Sequence, residues 1–394
     1  MRIGSLMSIN RCDIFLLIWV LYYLQGTAYE VGGAFSTGLL VVNLLISAVC
    51  AIKVMQMKDA PVYFRGLNLL MLMFTVYGFW LICNPPTSAG VSGILNQIPS
   101  YEYIKSIYLS LLPIYAFYYF SRQGYLTVEK LRFWGLIFLV STVFSYYRYQ
   151  QEVLEKLINH EEIVNNAGYL FLSCIPILVV YRKKPLLQFI LLAFVMMYIV
   201  MGMKRGAIVI GALTAVYFIV QAIRNTSGRT RFVLVLLSAA LVVIAIQFFL
   251  YRMATSEFMM NRFQQTMEGY SSGRDDLYSF FWTYFTHQAD TLHYLFGRGA
   301  NGTLEIYYNY AHNDWLEVAV NQGLLGLAVY FIYWKHFYKT WRWTTNKDTK
   351  AILAMFIIIY FAKTMFSMSY GGMTYVCTSV LGFALANRNS ADIV

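Results

Sequence analysis

The sequence predicts an all-α, polytopic integral membrane protein. Of its 394 residues, 59% are apolar and only 12% are charged, whereas a soluble domain carries about 25% charged residues. The mean hydropathy of +0.54 applies to the whole chain, which excludes a water-soluble globule and also a disordered protein. The apolar residues form runs of about 20, the length that crosses roughly 30 Å of hydrocarbon.

Twelve apolar segments are predicted to cross the bilayer. The first follows a short basic stretch without a clear cleavage site, and we interpret it as an uncleaved anchor. The segments are 14–30, 33–52, 66–83, 104–121, 132–148, 166–181, 186–202, 206–223, 231–250, 323–341, 351–369 and 372–387.

The positions of the charges predict the orientation. A net charge of +11 in a soluble protein would favour a nucleic-acid partner, but in a membrane protein cytoplasmic loops are enriched in lysine and arginine. If both termini are cytoplasmic, most of the 30 basic residues lie in inner loops. We therefore expect the lipid bilayer, and no nucleic acid, as a partner. The five cysteines are scattered and fit neither a disulfide framework nor a zinc site.

The predicted spans divide the chain into three parts. Residues 1–251 hold helices 1–9, and residues 323–394 hold helices 10–12. Between them, residues 252–322 form a long outer loop before the tenth helix, with a re-entrant or amphipathic helix in it. Loops of this length are uncommon in compact domains, and they are usually either functional or disordered. We expect this loop to carry the catalytic segment.

Lys204 and Arg205 break two rules at one place. They lie in a short outer loop, where positive charge should be scarce, and at the start of a helix, where cations are disfavoured. A bound anion resolves both conflicts, because helix N-termini and cations each attract phosphate. The alternative is a pair of side chains that extend to the lipid headgroups.

Arg274 stands in the long loop within the stretch SSGRDD. Small residues before an arginine favour a turn that presents the guanidinium group to a ligand. The alternative is a surface ion pair with Asp275 or Asp276, which would contribute little to stability. The two aspartates are adjacent, without the intervening residue of a divalent-cation pair, and we expect no metal site.

His312 precedes a predicted helix that continues into the tenth span. Asn313 or Asp314 is a suitable N-cap, which places His312 at the positive end of that helix. This potential lowers the pKa of the imidazole and keeps it neutral, as a general base requires. Asn313, Glu317 and Asn321 predict a polar stripe on the side away from the apolar residues. The alternative is a histidine at headgroup level.

Two further basic residues are candidates. Lys363 lies inside the predicted span 351–369, where ionisable groups are costly and usually functional. It lies toward the outer end, so it either lines the same cavity or extends to the headgroups. Arg298, flanked by two glycines in the long loop, is a second candidate for binding an anionic substrate.

The motifs together resemble the O-antigen polymerase/ligase superfamily of bacterial inner membranes. They are Lys204-Arg205-Gly206 at a span start, then SSGRDDLY, LFGRGANG and AHNDWLEVAVNQGLLGL. The resemblance covers residues 200–335, and the N-terminal half matches only in its hydropathy.

The resemblance implies a bundle of about twelve helices and a metal-independent, inverting glycosyl transfer without a cofactor. The implied donor is an oligosaccharide on undecaprenyl pyrophosphate. By resemblance, Arg205 and Arg274 stabilise the pyrophosphate leaving group, and His312 takes the proton of the acceptor hydroxyl. Lys204 departs from many relatives, which have a small hydroxyl residue there, and is a second phosphate ligand in this interpretation. The remaining candidate ligands for pyrophosphate or sugar are Arg298, Asn313 and Lys363.

Three functions remain open on this sequence. The leading hypothesis is an O-antigen polymerase in the bacterial inner membrane, with its active site facing the periplasm and with a chain-length regulator as an implied partner. The closest alternative is the ligase that transfers the finished chain to lipid A-core, because it shares the donor and the chemistry. The third is a flippase for lipid-linked sugars, but transporters place charges near mid-membrane and contain paired, broken helices. Here the notable charges gather on one side, and the sequence has no apparent inverted repeat.

Overall fold

The computed structural model describes residues 9–25, 28–85, 99–158, 167–202, 204–255, 273–307, 309–367 and 375–390, with a few single positions between them. All regular secondary structure among these residues is helical, and no β-strand occurs in them. The predicted all-α class is therefore confirmed.

The first eight helices cover the N-terminal half of the chain. They are α1 (Arg11–Tyr23), α2 (Ala34–Met55), α3 (Tyr63–Cys83), α4 (Ser100–Leu111), α5 (Pro113–Arg122), α6 (Val128–Ile158), α7 (Ala167–Leu172) and α8 (Pro185–Met201). A short 3₁₀ helix, Pro176–Tyr181, follows α7.

The described residues of the C-terminal half form eight more helices. They are α9 (Arg205–Arg224), α10 (Gly228–Thr255), α11 (Arg274–Thr283), α12 (Thr291–Phe296), α13 (Gly302–Ile306), α14 (Asp314–Arg342), α15 (Lys347–Phe366) and α16 (Tyr375–Ala386). A single π-helical turn, Tyr284–Gln288, extends α11.

Five of these helices are long and apolar enough to cross a membrane: α2, α3, α9, α10 and α14. Shorter apolar helices occupy Gly168–Tyr181, Pro185–Met201 and Val376–Ala386. Together with the hydropathy of the chain, these helices indicate a multi-pass membrane protein. The number of twelve spans stays a prediction.

Two of the predicted spans are interrupted by proline. The segment 104–121 divides into α4 and α5 at Pro113, and the segment 166–181 changes from α7 to a 3₁₀ helix at Pro176. Proline has no N–H to donate, and its ring clashes with the preceding turn, so it is tolerated only in the first turn of a helix. Apolar length alone does not reveal these breaks.

One large apolar core joins α1–α9 with α14–α16. Helix α16 packs closely on α5, because a Cβ atom on Gly382 would lie only 2.6 Å from the Cβ of Phe117. Likewise α3 packs along α14, and α9 packs against α15. The ends of α9, α14 and α15 are thereby held in one bundle.

A second, smaller core attaches the segment 273–311 to the start of α14. It consists of Leu277, Phe281, Tyr284, Ala311 and Val320. Because this cluster draws on α11, the residue before His312 and α14, it fixes the long loop to the bundle at the level of His312.

Helix α14 bends at Gly323, which has φ 67° and ψ −162°. Gly297 crosses the helix at this bend, because the N–H groups of Arg298 and Gly299 donate to the carbonyls of Val320 and Asn321 at 2.8 Å each. The bend thus frees carbonyl groups of α14 to bind the crossing loop.

Candidate active site

Two basic motifs and the histidine motif lie at the N-termini of three helices. Lys204 occupies the N-cap position of α9 and Arg205 is its first residue. Arg274 is the first residue of α11. Asn313 caps α14, since its Oδ1 accepts from the N–H groups of Trp315 at 3.0 Å and Leu316 at 3.2 Å. Each helix N-terminus carries partial positive charge, so each of these predicted site residues lies where an anion is attracted.

His312 has an unusual backbone conformation. Its φ of 51° lies in the left-handed region, which a residue with a Cβ adopts only when its surroundings compensate the cost. One compensating contact comes from α11, where the Tyr278 hydroxyl donates to the His312 carbonyl at 3.2 Å. The same hydroxyl lies 3.2 Å from the carbonyl of Met365 in α15. Tyr278 therefore connects the histidine to two helices.

The positive charges of Arg274 and Lys204 act on His312. The imidazole is half-buried, and burial lowers the pKa of His312 to about 4, with Arg274 and then Lys204 contributing in the same direction. The histidine is therefore neutral at pH 7, as the sequence predicts. Burial is the leading cause, whereas the sequence argument relied on the helix N-terminus.

Tyr169 in α7 is a second tyrosine that connects residues of the candidate site, and it was not among the residues predicted from the sequence. A Cβ atom on Gly206 would lie 2.5 Å from the Tyr169 hydroxyl, so this tyrosine stands directly against the start of α9. Its ring lies 5.3 Å from Lys363 Nζ, and Arg274 interacts with it electrostatically. Arg205 lies between Lys204 and Gly206 in the chain, and its role in binding the substrate stays a prediction.

The end of α15 is tied to the start of α14. Asn313 Nδ2 donates to the Met365 carbonyl at 3.4 Å, and the buried Asp314 accepts from the Ser369 N–H at 2.9 Å and the Tyr330 hydroxyl at 2.6 Å. Lys363 is buried and interacts electrostatically with Asp314. Because Lys363 contacts both this network and Tyr169, it lies at the same end of the bundle as His312.

The predicted polar stripe on α14 is buried under the loop. Glu317 accepts hydrogen bonds from the Thr303 hydroxyl at 2.5 Å, the Ala311 N–H at 2.8 Å and Asn321 Nδ2 at 3.0 Å. Asn321 also accepts from the Thr303 N–H at 2.9 Å. The stripe therefore anchors the segment that ends in His312, since Ala311 is the residue before it.

Arg298 lies apart from this group. Its guanidinium donates to the Tyr284 hydroxyl, stacks over the Tyr284 ring at 5.4 Å and lies 3.6 Å from Glu305. Among the described residues, its polar contacts are with these two side chains and with the backbone of α14, and none is with His312. The structure thus gives Arg298 a place in the fold of the loop, and its substrate-binding role stays a prediction.

Other ionisable groups of the loop are engaged elsewhere. His293 pairs with Asp290 at 2.5 Å, and His287 contacts the Thr286 hydroxyl at 2.6 Å. Within the part of the chain that the structure describes, no three His, Cys, Asp or Glu side chains form a group suited to a metal ion. His160, Ser271 and Ser272 lie outside the described residues.

We expect the charge of Lys204 to contribute to the position of the acid limb of the pH–rate profile. The neutral form of His312 is lost as the pH falls through its pKa of about 4, so kcat/KM should fall there if this imidazole is the base. Lys204→Gln removes one cation that lowers this pKa, so the acid limb should move to higher pH. Lys105→Gln is the control, because Lys105 pairs with Glu102 at 2.5 Å. An acid limb that stays in place in Lys204→Gln would contradict the interaction.

Comparison with known proteins agrees with the motifs. A family model described as O-antigen ligase matches residues 189–331, which include Lys204, Arg205, Arg274 and His312. Searches of curated proteins and of solved structures gave no match. The matched segment runs from α8 into α14 and so contains three helix N-termini of the candidate site. This region of the chain is therefore similar to the family described as O-antigen ligase, in agreement with the resemblance of the motifs.

Proposed function

We propose that this protein is an O-antigen polymerase, a glycosyltransferase that joins oligosaccharide repeat units carried on undecaprenyl pyrophosphate. The observation that carries the proposal is that two cations from different helices, Arg274 and Lys204, act on one half-buried, neutral imidazole. An anion site beside a base is what transfer from a diphosphate donor to an alcohol requires.

The cations would bind the donor. Lys204, Arg205 and Arg274 are adjacent to helix N-termini, whose free N–H groups add to the attraction for phosphate. As the bond to the anomeric carbon breaks, negative charge grows on the pyrophosphate, and a preorganised donor group stabilises such charge by about 3 kcal/mol. In this proposal the protein's own cations carry that charge, and no metal ion takes part.

His312 would activate the acceptor. A base with a pKa of about 4 is weak, but a bound diphosphate offsets the charges of Arg274 and Lys204 and so raises that pKa toward the useful range. The acceptor oxygen then bonds to the anomeric carbon from the side opposite the leaving group. His312 takes the hydroxyl proton, undecaprenyl pyrophosphate departs, and the configuration inverts.

The charge distribution supports an active site on the periplasmic face of the bacterial inner membrane. His312 precedes α14, whereas Lys339 and Arg342 lie in its last turn, with Lys347 and Lys350 just beyond. Basic loops lie preferentially in the cytoplasm, which supports the proposal that the other end of α14, with His312, faces the periplasm. A chain-length regulator is a proposed partner on that side.

The second candidate is the O-antigen ligase, and the description of the matching family model favours it. Both reactions use the same donor and the same base, so the candidate site suits either. A deletion strain distinguishes them on a lipopolysaccharide gel. Loss of a polymerase leaves cores capped with one repeat unit, whereas loss of a ligase leaves bare cores.

The test in vitro combines purified protein with undecaprenyl-pyrophosphate repeat units, with and without a chelator. We expect chain elongation in both conditions, and loss of elongation in Arg205→Ala and Arg274→Ala because the diphosphate is no longer held. Arg229→Ala is the matched control, since Arg229 is exposed in the first turn of α10. Full elongation in both test variants would refute the mechanism, and inhibition by the chelator would refute its independence from metal.

A further inference from the structure

A basic pocket lies at the opposite end of the molecule from His312. It encloses about 360 Å³ and is lined by Arg65, Lys339, Arg388, Trp343, Thr340 and other residues of the same three segments. His312 immediately precedes α14, and Lys339 and Thr340 lie in its final turns. The part of α14 between the bend at Gly323 and Lys339 is by itself about 24 Å long, so the pocket lies far from the candidate active site.

Three segments that are distant in the chain form the pocket. Arg65 belongs to the first turn of α3, Lys339 to the last turn of α14, and Arg388 follows α16. The buried Thr340 joins two of them, because its hydroxyl accepts from the N–H of Tyr63 at 3.0 Å. Arg388 Nη2 reaches the carbonyl of Asp59 at 3.3 Å.

The positive charge of the pocket is only partly balanced, since the one carboxylate that acts on Arg388, in the part of the chain that the structure describes, is that of Asp59. Among the described residues, Arg65, Lys339 and Arg388 form no ion pair, and the nearby Asp59 is already paired with Arg122. Lys339 Nζ instead lies 4.3 Å from the centre of the Trp343 ring. The N-terminus of α3 adds partial positive charge, since its N-cap, Val62, has no side chain that could accept from the helix.

The walls of the pocket are suited to a lipid. Trp343 is 60% exposed and the neighbouring Tyr338 is 56% exposed, and such aromatic rings concentrate at the headgroup level of a bilayer. Ala60 and Val62 add apolar surface. A free inorganic anion needs the cations alone, whereas a phospholipid uses cations and aromatic surface together.

We propose that this pocket binds the phosphate headgroup of an anionic phospholipid. The phosphate bridges Arg65, Lys339 and Arg388, and the glycerol and the start of the acyl chains lie along Trp343. The bound lipid thereby joins the beginning of α3, the end of α14 and the C-terminal segment. Basic pockets between membrane helices bind anionic headgroups in this way. The inference is independent of the proposed function.

The test measures lipid binding to the full-length protein. Delipidated protein in detergent is titrated with phosphatidylglycerol, with phosphatidylcholine or with inorganic phosphate, and the bound species are counted by native mass spectrometry. We expect tight binding of phosphatidylglycerol alone. Arg65→Gln, Lys339→Gln and Arg388→Gln should each weaken it about fivefold, whereas Arg231→Gln, an exposed site on α10, should leave it unchanged.

The remaining outcomes overturn the proposal. Equal loss in Arg231→Gln would mean that general surface charge attracts the lipid. Equal binding of phosphatidylcholine would mean that the negative charge is irrelevant, and binding of inorganic phosphate at the same concentration would mean that the ligand is a free anion. If Arg388→Gln does not fold, the other two variants decide the question, because Arg65 and Lys339 are exposed side chains.

Discussion

Replacing His312 by asparagine is expected to reduce the rate of chain elongation by about 10²–10⁴-fold, the usual contribution of a general base. Asparagine is the informative replacement because it tolerates the left-handed backbone that His312 adopts with φ 51°. The hydrogen bond from Tyr278 goes to the main-chain carbonyl, so it does not depend on the side chain at position 312. The loss would then reflect the missing base and not a collapsed loop.

The measurement is the initial rate of elongation by purified protein, together with its thermal midpoint. The matched control is His293→Asn, since His293 is another histidine of the same loop but pairs with Asp290. We expect both variants to melt close to the parent and only His312→Asn to lose activity. Elongation by His312→Asn at the parent rate would exclude this imidazole as the base.

The sequence revealed the chemical groups better than it revealed their surroundings. Lys204, Arg274 and His312 were recognisable because each stands where a local rule is broken or a motif is present, and such signals need no knowledge of tertiary contacts. Asn313 was recognisable as an N-cap for the same reason, since capping is decided within three residues. Local sequence signals therefore predicted helix N-termini at Lys204, His312 and Asn313, whereas Arg274 was expected in a turn and is the first residue of α11.

Residues that act through distant contacts were missed. Tyr169 stands against Gly206 and near Lys363, and Tyr278 joins α11 to α15, yet each looks like one more of the 33 tyrosines in the sequence. Arg298 was placed among the ligands because it is a glycine-flanked arginine in the functional loop. Its partners, Tyr284 and Glu305, could be identified only once the loop was folded.

The burial of Glu317 and Asn321 illustrates the same limit. The sequence predicted a polar stripe on the side of α14 away from the apolar residues, and it named no partner for that stripe. In the structure the loop covers the stripe, and Glu317 and Asn321 accept the hydrogen bonds that hold Thr303 and Ala311. A polar stripe on a helix predicts a polar partner as well as it predicts solvent, and hydropathy alone does not separate the two.

Replacing Gly323 by alanine is expected to destabilise the protein by about 2–6 kcal/mol. With φ 67° and ψ −162°, this position lies in a backbone region that is essentially restricted to glycine, where a Cβ costs about 1–3 kcal/mol, and overpacking adds about 1–3 kcal/mol. The second cost applies because the new Cβ would lie 2.5 Å from the Gly297 nitrogen and from the Leu295 carbonyl oxygen. Both contacts are with backbone, so relief requires the crossing loop to move away from α14.

That movement would also disturb the site, because the crossing loop continues through Thr303 to Ala311 and His312. We therefore expect Gly323→Ala to lower the thermal midpoint and the elongation rate together. Gly38→Ala is the matched control, since Gly38 is an exposed position in α2 with no atom within 4 Å of an added Cβ. There alanine should be neutral or stabilising by up to about 1 kcal/mol. Equal midpoints for the two variants would mean that the bend at Gly323 does not hold the loop.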